Sequence, residues 1–141
     1  MTYDANNVFA KILRNELPAY VIDEDEHTLS FMDLMPLQPG HCLVICKEPA
    51  IDLLSISAIA LARVHQQSQR VARAADRAFN PDGVTIAQLT RSGAGQSVFH
   101  FHVHVVPTWG GLLDFRGHAR VRETEEALSE SAQRLRDALR D

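Results

Sequence analysis

Apolar strands joined by short turns, a long run of helical spacing set among them, and a second such run at the end predict an α+β domain. Its centre should be an antiparallel sheet of about five strands, with one long helix and terminal helices. Residues 8–14 carry apolar side chains at helical spacing and stop before Pro18, which predicts a short first helix. Residues 20–22 and 28–34 read as a hairpin around the acidic turn Asp23-Glu24-Asp25-Glu26. The turn Pro39-Gly40 leads into a third strand over 41–46. The pattern then changes over about 51–79, where Leu61, Val64, Ser68, Val71 and Ala75 recur every three or four residues. Asn80-Pro81-Asp82-Gly83 stops that helix. Residues 84–89 and 98–106 are the fourth and fifth strands. Leu128, Leu135 and Leu139 lie on one face of a closing helix over 125–139.

No repeat, low-complexity stretch or linker divides the 141 residues, so one domain over 1–141 is expected. Apolar residues make up 45% and charged residues 23%, an ordinary globular balance. The net charge of −4 advertises neither nucleic acid nor an anionic membrane, so an anionic small molecule would need a local pocket. Cys42 and Cys46 fall on one strand, about 13 Å apart, beyond the ~7 Å reach of a disulfide. The acidic start Met1-Thr2-Tyr3-Asp4 does not read as a signal peptide, and no apolar run is long enough to span a bilayer. A soluble cytoplasmic protein is the expectation.

The chemistry concentrates in His100-Phe101-His102-Val103-His104. Alternate residues of a strand share a face, so three imidazoles should face one side while Phe101, Val103 and Val105 enter the core. A single histidine is usually an ordinary hydrogen-bonded residue; three in alternation ask for more. Such a row suits either a catalytic metal with an open position or a nucleophilic imidazole supported by its neighbours. The preceding Ser92-Gly93-Ala94-Gly95-Gln96-Ser97 is rich in small residues. Its backbone N–H groups, with the Gln96 and Ser97 side chains, can donate to phosphate oxygens. A flexible turn is the plainer reading of the glycines alone, but beside the histidine row the phosphate reading is the better one.

Gly95-Gln96-Ser97-Val98-Phe99-His100-Phe101-His102-Val103-His104-Val105-Val106-Pro107 resembles the signature of the histidine-triad (HIT) nucleotide-binding family. Phe9-Ala10-Lys11-Ile12 with Glu16-Leu17-Pro18-Ala19 is similar to its N-terminal segment. Phe31-Met32-Asp33 and Pro39-Gly40-His41-Cys42-Leu43-Val44-Ile45 are similar to its nucleoside wall. The resemblance covers all but the last thirty or so residues and lies nearest the bacterial nucleoside phosphoramidases. It implies His102 as nucleophile, His104 on the α-phosphate and leaving group, and His100 and His41 in support. It further implies that Gln96 and Ser97 contact phosphate and that Asp33 takes the ribose hydroxyls. Phe31, Val8, Phe9, Ile12, Leu34 and Leu43 would form the base slot, although each taken singly reads equally well as core. His27, His65 and His118 match no motif and should be solvated.

Many bacterial relatives carry a structural zinc on a Cys-x-x-Cys pair, a histidine after the third strand, and the first triad histidine. The corresponding positions here are Asn7, Ala10 and Pro49, so no metal and no cofactor is expected. Leu89 stands where an asparagine usually assists the phosphate side, and Cys46 where proline is common. The implied activity is hydrolysis or transfer at the α-phosphate of an AMP- or GMP-containing purine nucleotide, through a nucleotidyl-histidine. The alternatives are a dinucleoside polyphosphate hydrolase and a nucleotide-binding regulatory protein with vestigial activity. A homodimer is implied, with the long helix and a strand edge at the interface. No nucleic acid or membrane partner is expected.

Overall fold

The computed structural model describes residues 1–115 and 120–141. Its elements follow the order α1 (Val8–Leu13), β1 (Val21–Glu24), β2 (Thr28–Met32), β3 (Cys42–Cys46), α2 (Ala58–Phe79), β4 (Gly83–Ala87), β5 (His102–Thr108) and α3 (Glu125–Leu139). The strands form one sheet in the order β1-β2-β3-β5-β4, antiparallel at every pairing. The expected α+β class and five-stranded sheet are therefore present.

Strand alternation divides the buried residues into two clusters. Met32, Val44, Val103 and Val105 pack beneath α2 and α3 with Val64, Val71, Leu128 and Leu135. The opposite face carries Leu29, Phe31, Leu43 and Ile45, packed against Phe9 of α1. The register sets Phe31 beside Leu43 and Leu43 beside His104, and likewise Leu29 beside Ile45 and Ile45 beside His102. Two cross-strand rows thus run from an apolar wall to a histidine. Gly40 turns the chain into β3 at a φ of +88°, and a Cβ there would lie 2.8 Å from the Phe79 ring.

Several boundaries differ from the expectation: β1 takes in Asp23 and Glu24 of the expected turn, β2 ends at Met32, β4 ends at Ala87, and the starts of α2 and β5 shift most. Helix α2 begins at Ala58, not near Ile51, because Ser57 is its N-cap and accepts the Ala60 N–H. The residues before it form a turn in which Asp52 Oδ1 accepts the Leu54 and Ser55 N–H groups. Strand β5 begins at His102, not at Val98, because the Phe101 N–H goes to the Ala50 carbonyl rather than to a neighbouring strand. Cys42 and Cys46 are both buried and unpaired. Among the described residues, no helix is long and apolar enough to cross a membrane.

Candidate active site

Alternation along β5 turns His102 and His104 onto the α1 side of the sheet, where they line a cavity of about 430 Å³. Val8, Phe9, Ile12, Phe31, Leu34 and Leu43 form its apolar wall, and Asp33 and Ser97 its polar margins. Phe9 stands edge-on to both Phe31 and His102, with ring centroids 5.4 and 5.0 Å apart. A second cavity, about 490 Å³ between α1 and β1, is lined by Glu16, Val21 and Glu24 among others and holds no histidine. The convergence of imidazoles, a carboxylate and a hydroxyl makes the first cavity the chemical one.

Hydrogen bonds determine which nitrogen of each ring carries its proton. His102 Nδ1 lies 2.7 Å from the His100 carbonyl oxygen, which can only accept. Nδ1 therefore holds the proton, and Nε2 keeps an unshared pair. His41 Nδ1 accepts the Leu37 N–H at 3.0 Å, so its Nε2–H donates to His104 Nδ1 at 2.9 Å. That leaves His104 with an Nε2–H donor. One free nucleophilic nitrogen and one free donor thus sit on adjacent rings, whose centroids are 5.1 Å apart.

Burial keeps these rings neutral. His41 and His104 are each pushed down to about 3, first by desolvation. Arg120 and His102 add to the effect at His41, and His102 and His41 at His104. His102 is held below its ordinary value by burial, opposed by its bond to the His100 carbonyl and by the charge of Asp33. Burial lowers His100 in the same way. Because His41 is neutral, its 3.4 Å approach to Asp33 is a polar contact rather than an ion pair.

Residues 14–110 match the HIT domain. The chain belongs to the HIT family. The Hit-like protein involved in cell-cycle regulation from Bartonella henselae superposes with a TM-score of 0.90 at 37% identity, covering 98% of this chain and 99% of that one. A hypothetical histidine triad nucleotide-binding protein from Sulfolobus tokodaii strain7 gives 0.85 at 28% identity, covering 94% and 91%. A Zn-bound histidine triad family protein from Mycobacterium smegmatis gives 0.82 at 36% identity, covering 96% and 94%.

In this HIT chain Gln96 makes contacts other than those expected of it. Gln96 donates through Nε2 to the Ile51 and Val98 carbonyls, and its Oε1 accepts the Arg91 N–H. Its amide closes the loop and has no donor left for phosphate; Ser97 is the loop residue at the cavity. Gly95 holds a φ of +105°, and a Cβ there would lie 3.2 Å from Leu89, so Leu89 packs beneath the loop. His100 lies before β5, fully buried, and does not line the cavity. His41 is equally buried and reaches the site only through His104. His27 is half-buried, His65 is exposed, and His118 lies outside the described residues.

Sequence reading missed Tyr3, Phe115, Arg120 and Arg122. Arg120 and Arg122 line the cavity, and Arg120 pairs with Asp33 Oδ2 at 2.7 Å while donating to the Met35 carbonyl. Phe115 stands edge-on to His104 at 5.2 Å. These residues lie outside any periodic or motif-bearing stretch, so nothing local marked them.

Neither metal arrangement suits these residues. Asn7, where a thiolate would be needed, caps α1 by accepting the Ala10 N–H, and Ala10 and Pro49 offer no ligand atom. Ligand atoms of Asp33, His41 and His104 do lie within 4.8 Å of one another. Yet His41 Nε2 carries a proton, His104 Nδ1 accepts it, and Arg120 occupies Asp33. A cation would have to break all three interactions.

Proposed function

We propose that this HIT protein is a purine nucleotide hydrolase or transferase that cleaves at the α-phosphate through a nucleotidyl intermediate on His102. The observation that carries the reading is the 2.7 Å bond from His102 Nδ1–H to the His100 carbonyl, which leaves Nε2 unshared at the cavity. In the first step Nε2 forms a bond to the α-phosphorus, and the bond from phosphorus to the leaving group breaks. The His104 Nε2–H stabilises charge on the phosphoryl oxygens and gives its proton to the departing group, with Ser97 beside it. Water then attacks phosphorus and returns a proton to His104 Nε2, the P–N bond breaks, and neutral His102 and His104 are restored. The apolar wall receives the base, and Asp33 accepts from the ribose hydroxyls while Arg120 holds it in place.

The same reading extends to a homodimer formed along β4, an edge strand whose Ile86 is exposed. A nucleoside phosphoramidate is the expected preferred substrate, ahead of a diadenosine polyphosphate.

Acid-labile label from α-phosphate-labelled substrate should be recovered on His102 after a denaturing quench. Label on another residue, or turnover with no adduct under conditions that stabilise one, would sink the covalent reading.

A further inference from the structure

The HIT signature accounts for His102 and His104, but not for what holds His100, on whose carbonyl the tautomer of His102 depends. His100 lies outside the ladder of β5, so its carbonyl is held not by strand pairing but from two sides: the Phe101 N–H of the same peptide donates to the Ala50 carbonyl at 2.8 Å, and the His100 ring is anchored at both nitrogens. Nε2 is 2.7 Å from the Cys46 carbonyl, an acceptor, so Nε2 carries the proton. Nδ1 must therefore accept, and the Tyr3 hydroxyl donates to it at 2.6 Å. The two rings stand edge-on with centroids 5.6 Å apart.

We propose that Tyr3 is a positioning residue for the nucleophile, acting through the His100 ring to hold the carbonyl that selects the Nε2-unprotonated form of His102. The proposal rests on the reading of His102 given above. Tyr3 touches no reacting atom; it completes a chain running from its hydroxyl through the His100 ring and main chain to His102. The segment that carries it is itself built. Asp4 accepts the Asn6 N–H through its side chain and the Asn7 amide through its carbonyl, and Asn7 caps α1. Phe9 of α1 then stands against His102. Positions 7, 10 and 49 lack the donors that would tie His100 to a metal, and one phenolic hydroxyl anchors the ring in that place.

Tyr3→Phe keeps the ring and removes only the donor, leaving His100 Nδ1 a buried acceptor without a partner. Turnover of an adenosine phosphoramidate should fall about tenfold in kcat with KM little changed, as expected for loss of alignment in the reacting complex. Imidazole ¹⁵N spectra of the ligand-free protein should show Nδ1-protonated His102 in the wild type and a mixture of tautomers in the variant. An unchanged His102 tautomer in folded Tyr3→Phe would reduce Tyr3 to a fastener of the N-terminus and overturn the proposal. So would wild-type spectra with the His100 proton on Nδ1, whether or not the variant folds. The spectra need no substrate, so they still test Tyr3 if the covalent reading fails.

Discussion

The two faces of strand β5 are built from alternate residues of one segment and obey different rules. Val103 and Val105 meet α2 and α3 through shape and burial alone. His102 and His104 are nearly as buried, yet each depends on particular hydrogen-bond partners. An apolar contact is non-directional and tolerates replacement by anything of similar size. A buried imidazole has one correct tautomer, and a displaced partner changes its chemistry before it changes its stability. The lesson is that burial on this sheet marks an apolar core on one side and a hydrogen-bonded imidazole row on the other.

That contrast can be broken with neighbouring substitutions. His102→Asn should lower kcat by about a thousandfold or more, since it removes the nucleophile, while nucleotide binding by titration calorimetry stays close to wild type. Val103→Ala should do the reverse, costing about 2–3 kcal/mol in urea unfolding while the folded variant retains its kcat. If both variants lose activity in proportion to stability, the two faces are not functionally separate.

Acid should act on the histidine face first. His41 and His104 titrate near 3 when folded, against 6.5 for the free side chain. Above pH 6.5 both states are neutral, and these groups give stability no pH dependence. Between 6.5 and about 3 the unfolded chain binds protons that the folded chain excludes, so stability falls as pH falls. Each such histidine contributes a slope of about 1.4 kcal/mol per pH unit. Urea midpoints at pH 7.5 and 5 should therefore differ, and His41→Gln should flatten the difference. A midpoint insensitive to pH across this range would mean that these rings accept protons in the folded state.

The smallest effect should come from Arg91, beside the 92–97 loop but exposed and absent from the cavity lining. Arg91→Ala should leave kcat/KM within about twofold on a phosphoramidate and on a diadenosine polyphosphate. A loss confined to the polyphosphate would assign the guanidinium to the leaving group.

Much of this architecture is legible in the chain. The alternation of 102–106 separates core from imidazole row, and spacing places Val64, Val71, Leu128 and Leu135 on buried helix faces. The start of α2 is less legible, because Ile51 and Leu54 continue the apolar spacing through an Asp52–Ser55 turn. Gln96 shows a related limit. Its identity says that it can donate, but only the positions of the Ile51 and Val98 carbonyls say to what.

The sequence by itself determined the elements, the two faces of the sheet and the imidazole row, because each depends on periods of two or three to four residues. The tertiary structure decided which nitrogen of each ring is free. The choice at His100 rests on Cys46 and Tyr3, and that at His104 on His41, partners 54, 97 and 63 residues away in the chain. A hydrogen bond is directional and falls away within a fraction of an ångström, so such partners exist only once the chain has folded.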